Sequence, residues 1–431
     1  MFRKQTIRDI NLADKRVLLR ADYNVPVKDG VIQDDYRIKQ SLPTVKYLLE
    51  HKAKVIIISH LGRPDGQRQP DSSLAPVALR LKKLLPNWPV TFVNDCIGPK
   101  VKKAVDEMEP GQVLVLENLR FYPEEEANDD DFAKKLAANA DIFVQDGFGV
   151  VHRAHASTEA ITHHLPSVAG LLLEKEVDTI TKVMEDPNKP LMAIIGGAKI
   201  ADKIDILNRF IDLADIVAVG GAMANTFLLA QGVEIGKSLA DKGEVAVAKD
   251  ILAKAEAKAK KQPFTFYLPQ DCVVATALDD PAVKTRIVDW TTHVVADIES
   301  YPKRPAPDTA KVQPDELILD IGPFSGSFIA GAVQLARTVV WNGTLGVTET
   351  KGLQGPVGPF AHGTEMVIDA LLGQFGSRPF SLVGGGDTVG YIQSRGLTDS
   401  FDHVSTGGVA SFELMAGREL PGVAALLDVA K

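Results

Sequence analysis

The chain has 431 residues, more than one ordinary hydrophobic core holds, so we expect two domains or more. Hydrophobic residues make up 45% and charged residues 24%, as in soluble globular proteins, and no apolar run reaches the roughly 18 residues of a membrane span. The net charge of −8 disfavours nucleic acid as a partner, and the two separate cysteines predict neither a disulfide framework nor a zinc site. No signal-peptide segment follows the start, so we expect a cytoplasmic protein.

Short apolar, β-branched runs recur along the chain, with helical stretches between them. Their continuous apolar character is typical of parallel strands covered by helices on both faces. The runs are Val17–Leu19, Val55–Ile58, Val113–Leu116, Ile142–Val144, Met192–Ile195, Ile216–Val219, Phe264–Leu268, Leu317–Leu319, Val339–Trp341 and Phe380–Val383. A (β/α)8 barrel is the alternative, but the number of strands and a change in mid-chain favour an α/β fold with two doubly wound, Rossmann-like domains.

The mid-chain change lies near residues 166–190. Residues 168–184 are long enough for about four or more helical turns. The buried stripe of this predicted helix comprises Leu173, Val177, Ile180 and Met184. We therefore predict a first domain at 1–167, an interdomain helix at 168–185 and a second domain at 186–404. Pro302–Pro307 is predicted to be a surface loop.

Polar and basic residues follow the strands of the front half, where open α/β sheets bind ligands. They are Asp22, Asn24, His60, Arg63, Arg120, His152, Arg153 and His155, with Arg37 just beyond the first strand. Arginine forks bind carboxylate and phosphate oxygens, so this rim predicts a site for a small hydroxylated phosphate ester. Any one arginine alone is better explained by a surface salt bridge, but a cluster at corresponding strand ends is not. The two histidines at 152 and 155 lack a third zinc ligand at the usual spacing.

Glycines follow three strands of the back half, at Gly196-Gly197, Gly220-Gly221 and Gly384-Gly385-Gly386. Such glycines let a ligand approach the backbone and aim helix N–H groups at an anion. Lys199 and Lys203 would share one helix face if the helix begins near residue 198, and two lysines converging there would indicate a polyphosphate ligand. Asp387 suits Mg²⁺ and Thr388 suits phosphate. The P-loop-like stretch at 232–238 is one residue too short and follows a helical segment, so we predict a loop there.

The joint order and spacing of these motifs resemble the phosphoglycerate kinase family over almost the full length. The matching stretches are Ala21–Pro26, Ser59–Pro64, Glu117–Phe121, His152–Ser157, Gly196–Lys199, Trp341–Gly343, Gly384–Thr388 and Ser405–Gly408.

The resemblance implies a function and a set of site residues. The substrate 3-phosphoglycerate would be bound by Asp22, Asn24, Arg37, His60, Arg63, Arg120 and Arg153. The nucleotide, ATP or ADP, would be bound by Gly197, Lys203, Gly220, Gly221, Asn342, Glu349, Gly385, Gly386, Asp387 and Thr388, with Asp387 near Mg²⁺. The catalytic residues would be Arg37 and Lys199, which stabilise the phosphoryl group in flight, and Gly386 and Gly408, which open helices that face it. The family also implies a monomer, a hinge, and a C-terminal segment from about 405 to 431 that packs onto the first domain.

The sequence departs from the family pattern at several positions. Ala222 and Val409 stand where glycine is usual, and Thr344-Leu345 stands in place of proline and methionine. Gly147, Val150 and Val151 replace alanine, threonine and alanine. None of these changes removes a charged residue assigned to chemistry.

The sequence disfavours two other functions. A catalytically impaired scaffold that responds to nucleotide or binds RNA is disfavoured because Arg37, Lys199 and Asp387 are all present. A nicotinamide-dependent dehydrogenase is disfavoured because the G-x-G-x-x-G fingerprint is missing. No general base is found at the centre of the motifs, which fits a carboxylate acceptor, since a carboxyl of pKa ~4 is already ionised at pH 7.

Overall fold

The computed structural model describes residues 2–280, 282–290, 311–353, 355 and 357–429. The chain forms two compact units, the first from residues 1–181 and 406–431, the second from residues 182–405. The predicted loop Pro302–Pro307 lies outside the described residues. No helix among the described residues is long and apolar enough to cross a membrane.

The first unit is built around a six-stranded parallel sheet. Its elements are β1 (Arg16–Arg20), β2 (Val27–Lys28), β3 (Val31–Ile32), α1 (Tyr36–Glu50), β4 (Lys54–Ile58), α2 (Ala75–Leu84), β5 (Val90–Val93), α3 (Pro99–Asp106), β6 (Val113–Leu116), α4 (Pro123–Glu126), α5 (Asp130–Ala137), β7 (Ile142–Gln145), β8 (Ser167–Ala169) and α6 (Leu171–Glu185). The strand order is β5-β6-β4-β1-β7-β8, and β2 pairs with β3 in a separate hairpin. Within β1, Val17 and Leu19 join one core cluster while Leu18 joins the other. Both faces of the sheet are thus covered, which explains why the strands are continuously apolar.

The helix predicted at 168–184 begins later, at Leu171. Ser167–Ala169 instead forms β8, whose Val168 pairs with Val144 at the edge of the first sheet. The Oδ1 atom of Asp146 then accepts the backbone N–H groups of Leu172 and Leu173, at 3.0 and 3.2 Å. These contacts tie the start of α6 to the first unit, and the division between the units falls at residue 181, inside the helix and within the predicted interdomain segment 168–185. The predicted stripe is buried: its four side chains are at most 9% exposed.

The second unit contains another six-stranded parallel sheet and a smaller antiparallel one. Its elements are β9 (Leu191–Ile195), α7 (Ile204–Leu213), β10 (Ile216–Val219), α8 (Gly221–Ala230), α9 (Val245–Ala259), β11 (Thr265–Tyr267), β12 (Asp271–Ala275), β13 (Arg286–Asp289), β14 (Leu317–Ile321), α10 (Pro323–Leu335), β15 (Thr338–Asn342), α11 (His362–Leu371), β16 (Phe380–Gly384), α12 (Gly386–Ser394) and β17 (His403–Val404). The parallel sheet has the order β11-β10-β9-β15-β16-β17, and the antiparallel sheet has the order β13-β12-β14. The two main sheets are open, so the fold is the α/β arrangement with two parallel sheets and not a (β/α)8 barrel.

The run Leu317–Leu319 is the one predicted strand that lies outside the parallel sheets. It belongs to β14, which pairs antiparallel with β12. A separate small cluster of buried residues, Cys272, Val274, Val288 and Val312, packs within this region. A short apolar run does not by itself reveal the direction of its partner strand.

The last residues of the chain return to the first unit. They contain two short helices, α13 (Val409–Met415) and α14 (Pro421–Ala424). The N–H of Gly422 donates to the carbonyl of Val151 at 2.9 Å, and the N–H of Leu427 donates to the carbonyl of Ser167 at 3.0 Å.

Candidate functional site

The first rim lies at the carboxyl ends of β1, β4, β6 and β7. Asp22 follows β1, and Arg37 stands in the first turn of α1. The Nη1 atom of Arg37 donates to Oδ2 of Asp22 at 3.0 Å and to the carbonyl of Asn24 at 3.1 Å. The Asn24 side chain accepts the N–H of Gly62, which follows β4, at 2.9 Å. These bonds hold Asp22, Asn24 and Arg37 in one network that joins two strand ends.

A buried polar network stands beneath this rim. Arg20, the last residue of β1, is 1% exposed, and its Nε donates to the hydroxyl of Ser157 at 2.9 Å. Its Nη2 lies 3.3 Å from Nδ1 of His60 and 3.8 Å from the carboxylate of Glu125. Glu125 also accepts from the Ser157 hydroxyl at 2.6 Å. Arg20 therefore orients His60 from below, a role that the sequence did not predict.

Further arginines lie at this rim. Arg120 is 3% exposed and donates from Nη1 to the carbonyl of Gly62 at 2.9 Å, while its Nη2 lies 3.2 Å from Glu126. Burial, with the nearby charges of Arg153 and Arg63, lowers the pKa of Arg120 despite the opposing effect of Glu126. Among the described residues, neither Arg63 nor Arg153 has an acidic partner within ion-pair distance. Such an excess of positive charge at one rim is an anion-binding arrangement.

The histidines of the rim are neutral at physiological pH. Burial and the positive charges of Arg20 and Arg120 hold the pKa of His60 well below its usual range. Burial lowers the pKa of His152 and of His155 to about 4. The rim therefore offers neutral imidazoles beside charged guanidinium groups.

The second rim lies in the other unit, at the carboxyl ends of β9, β10, β15 and β16. Its glycines pack backbone against backbone. A Cβ at Gly196 would stand 2.1 Å from the carbonyl oxygen of Thr344, and one at Gly221, where φ is +64°, would stand 2.7 Å from the nitrogen of Gly197. A Cβ at Gly220 would stand 2.4 Å from a methyl group of Leu345. Only glycine permits this approach of three strand ends.

Lys203 and Asn342 meet at the centre of the second rim. The Nζ atom of Lys203 donates to the carbonyl of Gly196 and, at 3.3 Å, to Oδ1 of Asn342. Burial lowers the pKa of Lys203 to about 8, against the opposing influence of the nearby Asp387 carboxylate. The Nδ2 atom of Asn342 is buried without a hydrogen-bond partner among the described residues. An ammonium and a free amide donor are both suited to phosphate oxygens.

One expectation about the side chains of this rim does not hold. Lys199 and Lys203 do not share a helix face, because a short 3₁₀ turn at Ala201–Lys203 precedes α7, which starts only at Ile204. Lys199 is exposed in the loop after β9, whereas Lys203 is half-buried. The Thr388 hydroxyl is fully buried and accepts the N–H of Gly343 at 2.7 Å.

Gly385, Gly386 and Asp387 stand at the start of α12. Gly385 has φ of +90° and a Cβ there would stand 2.6 Å from Oδ1 of Asn342, so the residue must be glycine. Gly386 is the first residue of α12, and Asp387 is exposed beside it. Gly408 precedes α13 with φ of +52° but lies in the first unit. The predicted set is therefore divided between the two units.

A largely apolar cavity of about 310 Å³ opens beside the second rim. Its wall includes Leu228, Leu317, Leu345 and Val347, and its edge reaches both Glu349 and Asp387. Such a concave apolar space with polar groups at its edge is typical of a site for a planar ring system carrying a charged tail. The loop at 232–238 does follow a helix, α8, and contributes no residue to this wall.

One acidic residue in the cavity wall was not predicted. Asp320 is 2% exposed and accepts the N–H groups of Gly363 and Ile321, at 2.9 and 2.8 Å. Burial raises the pKa of Asp320 to about 8.

Comparison with known proteins gives one family. The family described as phosphoglycerate kinase matches residues 7–418. A phosphoglycerate kinase of Moorella thermoacetica is 44% identical over 425 residues, which cover 99% of both chains, and one of a Roseiflexus species is 45% identical over 426 residues with the same coverage. The solved phosphoglycerate kinase of Coxiella burnetii superposes with a TM-score of 0.80 at 36% identity, over 98% of both chains. That of Pyrococcus horikoshii gives a TM-score of 0.79 at 31% identity, over 99% of this chain and 98% of its own.

Proposed function

Because this chain belongs to the phosphoglycerate kinase family, we propose that its first rim binds 3-phosphoglycerate and its second rim binds the nucleotide. The reaction of the family is the reversible transfer of a phosphoryl group between ATP and the carboxylate of 3-phospho-D-glycerate, which gives ADP and 1,3-bisphosphoglycerate. The chain is accordingly an enzyme, a phosphotransferase with a carboxyl group as acceptor. No observation on the described residues or the relatives favours the impaired scaffold.

The observation that carries the first assignment is the unbalanced cluster of arginines. Arg63 and Arg153 bring charge without an acidic partner among the described residues, and Arg120 is buried beside them. A doubly charged phosphate ester would supply the missing anion, with guanidinium forks on its oxygens. Asp22 and the Asn24 side chain would bind the substrate hydroxyl.

The second assignment rests on the cavity and on the groups at its edge. The apolar wall suits a nucleobase, while Lys203, Asn342 and the N–H groups at the start of α12 suit the phosphates. Glu349, which lines the same cavity, would accept a ribose hydroxyl. Lys199, exposed in its loop, would contact the transferring group.

Asp387 would hold Mg²⁺ together with phosphate oxygens of the nucleotide. Magnesium in kinases typically uses one or two carboxylates, with the remaining ligands from phosphates and water. Asp387 fits that pattern, since it is exposed and lines the cavity. When bound, the ion neutralises phosphate charge.

The side chains would position the substrates and neutralise the charge of the transferred phosphoryl group. The acceptor carboxylate is already ionised, so no general base is needed, and the neutral His60 is a hydrogen-bonding partner only. Arg37 is held in place by Asp22 and would stabilise charge on the phosphoryl group during transfer. The N–H groups at Gly386 and Gly408 would contribute in the same way.

Transfer requires the two bound substrates to meet, and the two rims belong to different units. We expect a hinge-bending closure when both substrates bind, which would also keep water from the acyl phosphate product. We further expect a monomer in the cytoplasm.

A coupled assay tests the function directly. ADP release from ATP should require 3-phosphoglycerate, and Arg153→Ala should raise the KM for 3-phosphoglycerate with little change in that for ATP. ADP release that does not depend on 3-phosphoglycerate would contradict the proposed acceptor.

A further inference from the structure

One buried polar group in the cavity wall has no partner. Asn225, on α8, is 1% exposed and forms part of the wall. Its Nδ2 donates to the carbonyl of Leu239 at 2.9 Å, whereas its Oδ1 has no hydrogen-bond partner among the described residues. An unsatisfied buried acceptor is unfavourable, so a ligand that donates a hydrogen bond to it is stabilised.

The orientation of this amide is fixed by its neighbour. Only the NH₂ group can donate to the Leu239 carbonyl, so the oxygen cannot take that place without facing another acceptor. The rest of the wall near it is hydrocarbon, including Ala222 and Leu228. The Leu239 residue is 64% exposed, so this part of the wall borders on solvent.

We propose that Asn225 selects the nucleobase, accepting a hydrogen bond from the 6-amino group of adenine. The inference rests on the assignment of this cavity to the nucleotide. Adenine presents a donor at its 6-position, whereas guanine presents a carbonyl oxygen there, which would face Oδ1 as a second acceptor. A pocket that pairs a buried polar group with one ligand rejects the ligand that leaves it unpaired.

The structure provides a matched control on the next residue. The Thr226 hydroxyl accepts the N–H of Asp241 at 3.0 Å, so both residues anchor the same segment, but Thr226 is not part of the wall. Thr226→Val therefore disturbs the segment while the base contact stays. Asn225→Leu keeps a similar volume and removes the acceptor.

The test compares kcat/KM for ATP, GTP and purine riboside triphosphate, which lacks the 6-amino group. We expect wild type and Thr226→Val to favour ATP over both analogues by roughly tenfold, the worth of one hydrogen bond, and Asn225→Leu to lose that preference through a higher KM for ATP. The analogue comparison in wild type needs no variant, so it holds even if Asn225→Leu folds poorly. Equal use of ATP and purine riboside triphosphate by wild type, or an unchanged preference in folded Asn225→Leu, overturns the proposal.

A further variant separates this proposal from the nucleotide assignment. Ala222→Trp would fill the cavity and should raise the KM for ATP and GTP alike. If both KM values stay unchanged, the base binds elsewhere and the assignment of the cavity fails. If they rise but Asn225→Leu keeps the preference, only the role of Asn225 fails.

Discussion

The Nη1 atom of Arg37 lies 3.0 Å from Oδ2 of Asp22, whose side chain is 7% exposed while that of Arg37 is 31% exposed. The enclosed carboxylate fixes one edge of the guanidinium, and the rest of the group remains accessible. An arginine held in this way is preorganised for charge that develops on a ligand and does not have to be reoriented during the reaction.

Replacement of Arg37 should therefore affect the chemical step more than binding. We expect Arg37→Ala to lower kcat by roughly 100- to 1,000-fold, as for other preorganised donors, with a smaller change in the KM values. Steady-state kinetics over both substrates measure the two effects separately. Arg418→Ala is the control, because Arg418 is 57% exposed and lies in the same unit. A raised KM at normal kcat would contradict the role of Arg37.

Nucleotide affinity should depend on the charge of Lys203. Because its pKa is about 8, the side chain is mostly charged at pH 7 and mostly neutral at pH 9 in the free enzyme. The Kd for ADP should rise from pH 7 to pH 9, and binding near pH 8 should take up protons, since the phosphates favour the ammonium. Calorimetry in two buffers of different ionisation enthalpy measures the uptake. The pH dependence should vanish in Lys203→Met, and its persistence there would assign it to another group.

The ionisation of Asp146, which accepts N–H groups at the start of α6, should make the stability of the fold fall as pH rises. Burial raises the pKa of Asp146 to about 7, so the native state favours the protonated acid over a range in which the unfolded chain is ionised. The free energy of unfolding falls from about pH 4 upwards, and the fall is complete above about pH 7, on the order of 4 kcal/mol at most.

Asp146→Asn tests this, because an amide oxygen can accept the same N–H groups without ionising. We expect the melting temperature of wild type to fall relative to Asp146→Asn between pH 4 and pH 8. Parallel curves across that range would show that Asp146 does not carry the effect.

Gly221 and Gly232 both have a positive φ, and replacing each by alanine distinguishes the effect of close packing from that of backbone strain. Gly221, at +64°, would place a Cβ 2.7 Å from the backbone nitrogen of Gly197, whereas Gly232, at +83°, has nothing within 4 Å. Gly221→Ala should destabilise by more than Gly232→Ala, whose effect is confined to strain of about 1 kcal/mol. Thermal unfolding measures the stability of the two variants, and steady-state kinetics measure their KM for ATP. Only Gly221→Ala should raise that KM. Equal losses of stability in the two variants would mean that the backbone of the second rim can shift to make room for a Cβ at residue 221.

Much of the architecture was predictable because strands covered on both faces are continuously apolar. The short strands β2, β3, β8 and β17 were missed, since two or three residues leave no periodicity to detect, and the longer strands β5, β12 and β13 were also not among the predicted runs. The start of α6 was misplaced because Val168 extends the apolar pattern of the helix although it belongs to β8.

The charged residues of the site were predictable from their positions after strands, but the groups behind them were not. Arg20 directly follows the apolar residues Val17–Leu19 at the end of β1, so its place at the same strand end as the predicted residues was a signal available in the sequence. Asn225 stands in the apolar segment Gly221–Ala230. Thr388 shows the converse, because its position after a glycine run indicated a phosphate ligand, while its hydroxyl is used within the fold.

The division of substrates between the two rims is tested most directly by calorimetric titration of 3-phosphoglycerate and of ADP into wild type, Arg153→Ala and Lys203→Met. We expect Arg153→Ala to weaken 3-phosphoglycerate binding by roughly tenfold or more and to leave the Kd for ADP within about twofold, and Lys203→Met to do the reverse. Loss of 3-phosphoglycerate binding in Lys203→Met with Arg153→Ala unaffected, or equal loss of both ligands in each variant, would contradict the assignment of one substrate to each unit.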